Sequence, residues 1–130
     1  MNPPVRETRA MVAGMSPRLD PAEYVFSATD DETLAPRALG WFREEEGLSL
    51  ILERETAAVL GFEVSLPMKR IVLQVHSALD GVGLTAAVAA ALAAQGIACN
   101  VVAALRHDHV FVPAGDAERA LEILVALAAA

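Results

Sequence analysis

The sequence predicts an α+β fold of antiparallel strands with helices on one face. Its second half reads strand, helix, strand, strand, helix, and its first half divides into short β-rich runs separated by polar turns. The 130 residues are 55% apolar and 21% charged, enough apolar matter for a core and too little charge for disorder.

In the first half, a short helix is expected near residues 6 to 15, followed by the strand "EYVFSA" and the polar loop "TDDETLAP". The run "RALGWFREEEGLSLIL" predicts a hairpin turning at Glu45, Glu46 and Gly47. The stretch "ERETAAVLG" reads as a short helix closed by Gly61, and "FEVS" as a short strand before Pro67.

The second half is more regular. "KRIVLQVHS" is rich in β-branched residues and precedes the glycine-marked loop "LDGVGL". An alanine-rich helix follows, with Leu84, Val88 and Leu92 as its buried row and Gly96 as its C-terminal cap. "IACNVVAALR" and "HDHVFVPAG" are two strands with a tight connection near Arg106. "DAERALEILVALA" is a closing helix with Asp116 at its N-cap. On that helix Leu121, Leu124, Val125 and Ala128 form one row for the sheet. Ala120, Ile123 and Leu127 form a second that also needs cover, which favours a homodimer.

Charge and composition exclude several functions. The net charge is −7, and the acidity lies in residues 1 to 65, with 6 basic and 12 acidic residues against 4 and 5 in the remainder. No basic stripe serves a phosphate backbone, so nucleic acid is not an expected partner. No apolar run reaches membrane-spanning length and the start "MNPPVRETRA" lacks the apolar stretch of a signal peptide; the expectation is a cytoplasmic protein with no membrane partner. Cys99, the single cysteine, lies in an apolar strand run and reads as a small buried hydrophobe.

The strand-helix-strand-strand-helix order with a glycine-bearing first loop is similar to the body of an ACT domain, a βαββαβ regulatory module. The stretch "VHSALDGVGLTAAVAAALAAQGIACNVVAALRHDHVFVP", together with "EYVF" and "FREEEGLSLIL" upstream, closely resembles small bacterial tandem ACT-domain proteins. These are related to aspartate kinase regulatory ACT domains and to CASTOR-type arginine sensors. The resemblance implies a ferredoxin-like tandem with interlocked halves: an N-terminal segment 1–18 with a short helix, a degenerate first ACT-like domain 19–66, and a second ACT domain 67–130. It implies a non-enzymatic regulatory protein, without a cofactor, that binds an amino acid at the ACT–ACT junction. The alternatives are a structural protein–protein interaction module with no small ligand and, third, a metal-binding protein or enzyme.

By the same resemblance the ligand residues are Ser77, Leu79, Asp80, Val82, Gly83 and Leu84 on the loop, with Asn100 and Val101 on the following strand. The loop also suits a ligand on physical grounds, because a helix N-terminus exposes unpaired N–H groups suited to a carboxylate and glycine permits close backbone approach. A turn accounts equally for Gly81 and Gly83, and a helix cap for Asp80. Asn100, an amide among apolar residues, calls for a partner in a ligand or a neighbouring backbone if it is buried.

His76, His107 and His109 come close in such a sheet, which makes zinc a weak alternative; hydrogen-bonded structural histidines are the plainer reading. Ser77, His76 and Asp108 make a poor catalytic triad because adjacent strand residues face opposite ways. Glu44, Glu45 and Glu46 at the hairpin tip are a solvated turn or a receptor for a basic ligand. Finally, the second half ends in a helix and lacks its fourth strand, so the first half is expected to supply it from "EYVFSA" or "FEVS".

Overall fold

The computed structural model describes residues 3–130. Along the chain run α1 (Thr8–Ala13), β1 (Pro17–Thr29), a 3-10 helix (Glu32–Arg37), β2 (Gly40–Glu44), β3 (Gly47–Glu53) and α2 (Arg54–Val59). Then come β4 (Met68–Leu73), α3 (Leu84–Ala94), β5 (Asn100–Ala103), β6 (Asp108–Pro113), a short 3-10 turn (Ala114–Asp116) and α4 (Ala117–Ala129). The fold is α+β and antiparallel, as the sequence predicts. Two compact units form, one from the residues up to Pro21 together with Lys69–Ala130, the other from Ala22–Met68.

In the first unit the strand order is β1-β4-β6-β5. β5 and β6 pair antiparallel, with Asn100 opposite Phe111 and Ala103 opposite Asp108. Strand alternation sends Ile71 and Leu73 of β4, and Val110 and Val112 of β6, into one core with Leu84, Val88 and Leu92 of α3. Ala117, Ala120 and Leu124 of α4 complete it from above, and the N-terminal segment contributes Met11 and Met15, both essentially inaccessible.

The fourth strand of this unit is the start of β1. Gln74 N–H donates to the carbonyl of Met15 at 2.6 Å, its side-chain amide donates to the carbonyl of Ser16 at 2.9 Å, and Arg70 of β4 pairs with Asp20 at 2.8 Å. Residues upstream of "EYVFSA" in the same strand thus fill the place. "FEVS" does not: residues 62–65 form no strand.

The second unit is a three-stranded sheet in the order β2-β3-β1. The β2–β3 hairpin turns at Glu45 and Glu46, with Glu44 opposite Gly47. Gly47 has φ +136° and stands so close to β1 that a Cβ would lie 2.8 Å from the carbonyl oxygen of Thr29. Leu48, Leu50 and Leu52 alternate inward with Val25 and pack on Ala57 of α2, Phe62 and Leu34. The expected loop "TDDETLAP" is instead the 3-10 helix, capped by Asp31 accepting from Thr33 N–H at 3.0 Å.

Helix α4 presents its rows differently from the sequence reading. Ala120 is fully buried in its own unit, and Ile123 and Leu127 pack against the same core, where α1 and α3 both lie against α4. Val125, assigned to the sheet, is 51% exposed. The row that favoured a homodimer therefore packs in part within the chain, where α1 lies against α4. Asp116 occupies the N-cap without a capping hydrogen bond; its carboxylate faces Arg119 instead, at 3.5 Å. Cys99 lies before β5 rather than within it and is half-buried, which raises its thiol pKa.

If Leu124 is the centre of the buried row, Leu124→Ala will lose about 2–5 kcal/mol of unfolding free energy. Val125→Ala will change it by no more than about 0.5 kcal/mol. Urea titrations of the two variants check the assignment, and equal losses would contradict it.

A candidate ligand site at the glycine loop

β4 ends at Leu73, and the connection to α3 descends through residues 74–83. Gly81 N–H closes a turn onto the carbonyl of Ala78 at 3.0 Å. Gly83 then takes φ +110° at the N-cap of α3, a conformation that L side chains rarely adopt. Without a side chain at this N-cap, the amides of the first turn of α3 receive no side-chain acceptor there.

Beside this helix start lies a cavity of about 130 Å³. Of the residues expected in the site, Ser77, Leu79, Gly83 and Leu84 line it, and Thr85, Met11 and Asp108 join them. Asp80, Val82, Asn100 and Val101 do not line it. Asp80 is exposed and paired to Arg6, and Val82 is 78% exposed. Asn100 is exposed on edge strand β5, so it has no need of a buried partner.

Asp108, which the sequence reading weighs only as a member of a poor triad, lines the cavity although it was not among the expected ligand residues. Among the described residues it is the one buried charged side chain, 8% exposed, and its carboxylate accepts from the Ser77 hydroxyl at 3.4 Å, long for such a bond. Its signal was present: Asp108 has the parity of Val110 and Val112, which put it on the core side of β6. A carboxylate there requires compensation.

The chain's own N-terminal segment lies across the loop. Val5 bridges Ser77 in parallel, donating to the carbonyl of His76 at 2.7 Å and accepting from Ala78 N–H at 2.8 Å. The Arg6 guanidinium pairs with Asp80 and the Thr8 hydroxyl donates to the carbonyl of Val82. A Cβ on Gly83 would stand 2.6 Å from the methyl of Thr8, and one on Gly81 would meet Met11 Sδ at 3.1 Å and the Arg6 carbonyl oxygen at 3.3 Å. Close approach is what the glycines permit, and here the approaching group is this segment. Glu7 caps α1, accepting from Arg9 and Ala10 N–H, and these bonds hold its carboxyl below the usual range.

The histidines have different hydrogen-bond neighbours. His107 Nδ1 is 3.3 Å from the carbonyl oxygen of Val75. His109 Nδ1 is 3.3 Å from Arg70 Nη1, whose guanidinium also holds Asp20. The Val5–His76 backbone bond fixes the chain at His76. Among the described residues, no three His, Cys, Asp or Glu side chains gather as a metal site. The Ser77 hydroxyl faces the Asp108 carboxylate. In the second unit, Glu44 and Glu46 line an open hollow with Asp30, while Glu44 also accepts from the Ser49 hydroxyl.

A family model described as an ACT domain matches residues 3–69, and a second ACT-domain model matches residues 67–126. Among solved structures, a Vibrio cholerae protein of unknown function, a possible transport protein, is 43% identical. That match covers 88% of this chain and 89% of that one with a TM-score of 0.81. An Agrobacterium tumefaciens protein is 17% identical over 97% of this chain and 91% of its own, TM-score 0.64. The ligand-free regulatory subunit of aspartate kinase from Thermus thermophilus is 15% identical over 88% and 97%, TM-score 0.60. These last two are similarities of fold alone. No curated protein matches the chain, and no helix among the described residues is long and apolar enough to cross a membrane.

Two outcomes follow from this geometry. Gly83→Ala will destabilise the protein by about 1–3 kcal/mol through backbone strain alone, and Thr8→Ala in the same chain will recover the part due to the clash. A denaturation midpoint equal to the parent's would remove the steric argument. His109 has its pKa lowered from 6.5 by burial first, then by Arg70 and His107, against an opposing pull from Asp108. The unfolded chain therefore binds the proton more readily. The stability from this group is complete above pH 6.5 and falls as pH drops through the lower folded value. His109→Asn should flatten the acid side of the stability profile; a slope identical to the parent's would assign the loss to other groups.

Proposed function

Because the chain belongs to the ACT-domain family, both halves matching its models, we propose that it is a non-enzymatic regulatory protein binding a small amino acid at the loop before α3. The observation that supports this reading most directly is Asp108: a carboxylate almost wholly out of water, with one long hydrogen bond, lining a cavity that also meets an uncapped helix N-terminus. A simple anion is repelled by Asp108, and a simple cation is disfavoured by the positive end of α3. A zwitterion satisfies both, its ammonium toward Asp108 and its carboxylate toward the amides of Leu84 and Thr85.

A second reading, an interaction module without a small ligand, has its own support. The N-terminal segment already contacts the loop, and Leu79 and Val82 stand 69% and 78% exposed beside it, as apolar contacts for another protein would.

Thermal denaturation in the presence of each of the twenty amino acids separates the two. A specific ligand at a hundred times its dissociation constant stabilises by about 2.7 kcal/mol, and Asp108→Asn, nearly isosteric, should abolish the shift. Absence of any shift in the parent protein favours the interaction module.

A further inference from the structure

Residues 5–8 meet the glycine loop along its length: Val5 at His76 and Ala78, Arg6 at Asp80, Thr8 at Val82 and Gly83. This arm is held differently from the helix that follows it. Met11 in α1 and Met15 just after it are sealed in the core, whereas Pro3, Pro4, Arg6, Glu7 and Thr8 are exposed and only Val5 is half-buried. The ion pair joins two side chains that are themselves 61% and 77% exposed. Little apolar area and few exposed polar contacts define a segment that opens without the core.

We infer that the arm, residues 3–8, is a built-in regulator of the glycine loop: it opens at the start of α1 while the core stays folded, and a small amino acid gains the loop only from the open form. This rests on the ligand site proposed above. The coupling is thermodynamic, since a ligand that binds only the open arrangement draws the population toward it, and its apparent affinity is reduced by the fraction of protein that is open. The arm's contact with Gly83 is the closer one: a Cβ there would stand 2.6 Å from the Thr8 methyl, whereas one on Gly81 would meet Ala78 and Met11 before the Arg6 carbonyl oxygen.

The first test needs no ligand. Amide hydrogen exchange at Val5 and Ala78, the two donors joining arm and loop, should run at least about tenfold faster than at Ile71 and Leu73 in β4. Exchange of all four at one rate would show that the arm opens only with global unfolding and would overturn the inference.

The second test compares the full chain with Val5→Pro, which removes the donor to His76, and with Arg6→Asp, which turns the pair with Asp80 into a repulsion. Calorimetry with each of the twenty amino acids should show the parent's best binder held about tenfold more tightly by Val5→Pro, the scale expected from losing one or two hydrogen bonds, and about twofold more tightly by Arg6→Asp, the scale of an exposed ion pair. Arg6→Asp/Asp80→Arg should restore the parent's affinity. Equal affinity in parent and folded variants overturns the arm's role and leaves the ligand site standing, whereas no binding by any of them overturns both.

Discussion

A chain that runs strand, helix, strand, strand, helix leaves one place open beside its first strand, and how that place is filled decides the rest of the first unit. The vacant edge is a row of unpaired backbone donors and acceptors against a hydrophobic core, a liability for aggregation and an incomplete cover for the helices. Here the strand comes from earlier in the chain: the start of β1 lies beside β4, tied by the Gln74 bonds to Met15 and Ser16 and by Arg70 to Asp20. Pro21, which has no amide hydrogen to give a ladder, marks the last residue of β1 that belongs to this unit.

Placing β1 there dictates where the residues before it must go. Ser16, with φ +43°, turns the chain sharply between α1 and β1, so α1 returns over the helical layer and lies against α3 and α4. Met11 and Met15 then seal the core from that side, and residues 5–8 run on toward the loop. One strand pairing therefore accounts for three features: the cover over Ile123 and Leu127, the apolar wall Met11 gives the cavity, and the arm on the glycines.

Most of the second half was legible because its signals are local. The four-residue spacing of Leu84, Val88 and Leu92, the positive φ implied by Gly83, and the β-branched density of β4 each specify structure within a few residues. The hairpin at Glu45 and Glu46 was equally local. What stayed hidden was long-range. Nothing near Ile123 says that α1 covers it, and Asn100 reads as buried from its apolar neighbours although β5 is an edge strand. "FEVS" alternates like a strand yet finds no partner, since Phe62 and Val64 turn into the core beside Ala57. Half of the site was readable from the loop, and Asp108 was readable from parity alone, but that the loop's nearest neighbour is Thr8 follows only from the fourth strand's placement.

The same placement bears on how firmly the arm is held to the loop. The two backbone hydrogen bonds of Val5 contribute on the order of 1–3 kcal/mol together, each net worth being about 0.5–1.5 kcal/mol. The exposed pair of Arg6 and Asp80 adds little and is weakened further by salt. Every 1.4 kcal/mol of arm docking raises the apparent dissociation constant of a competing ligand about tenfold. On the scheme proposed above, a docked arm of this strength would close the loop most of the time yet yield to a ligand of ordinary affinity. Asp108 lies inside the unit and lines the cavity, whereas Asp80 lies outside it and pairs with Arg6 of the arm, so the two carboxylates bear on different parts of the proposed scheme.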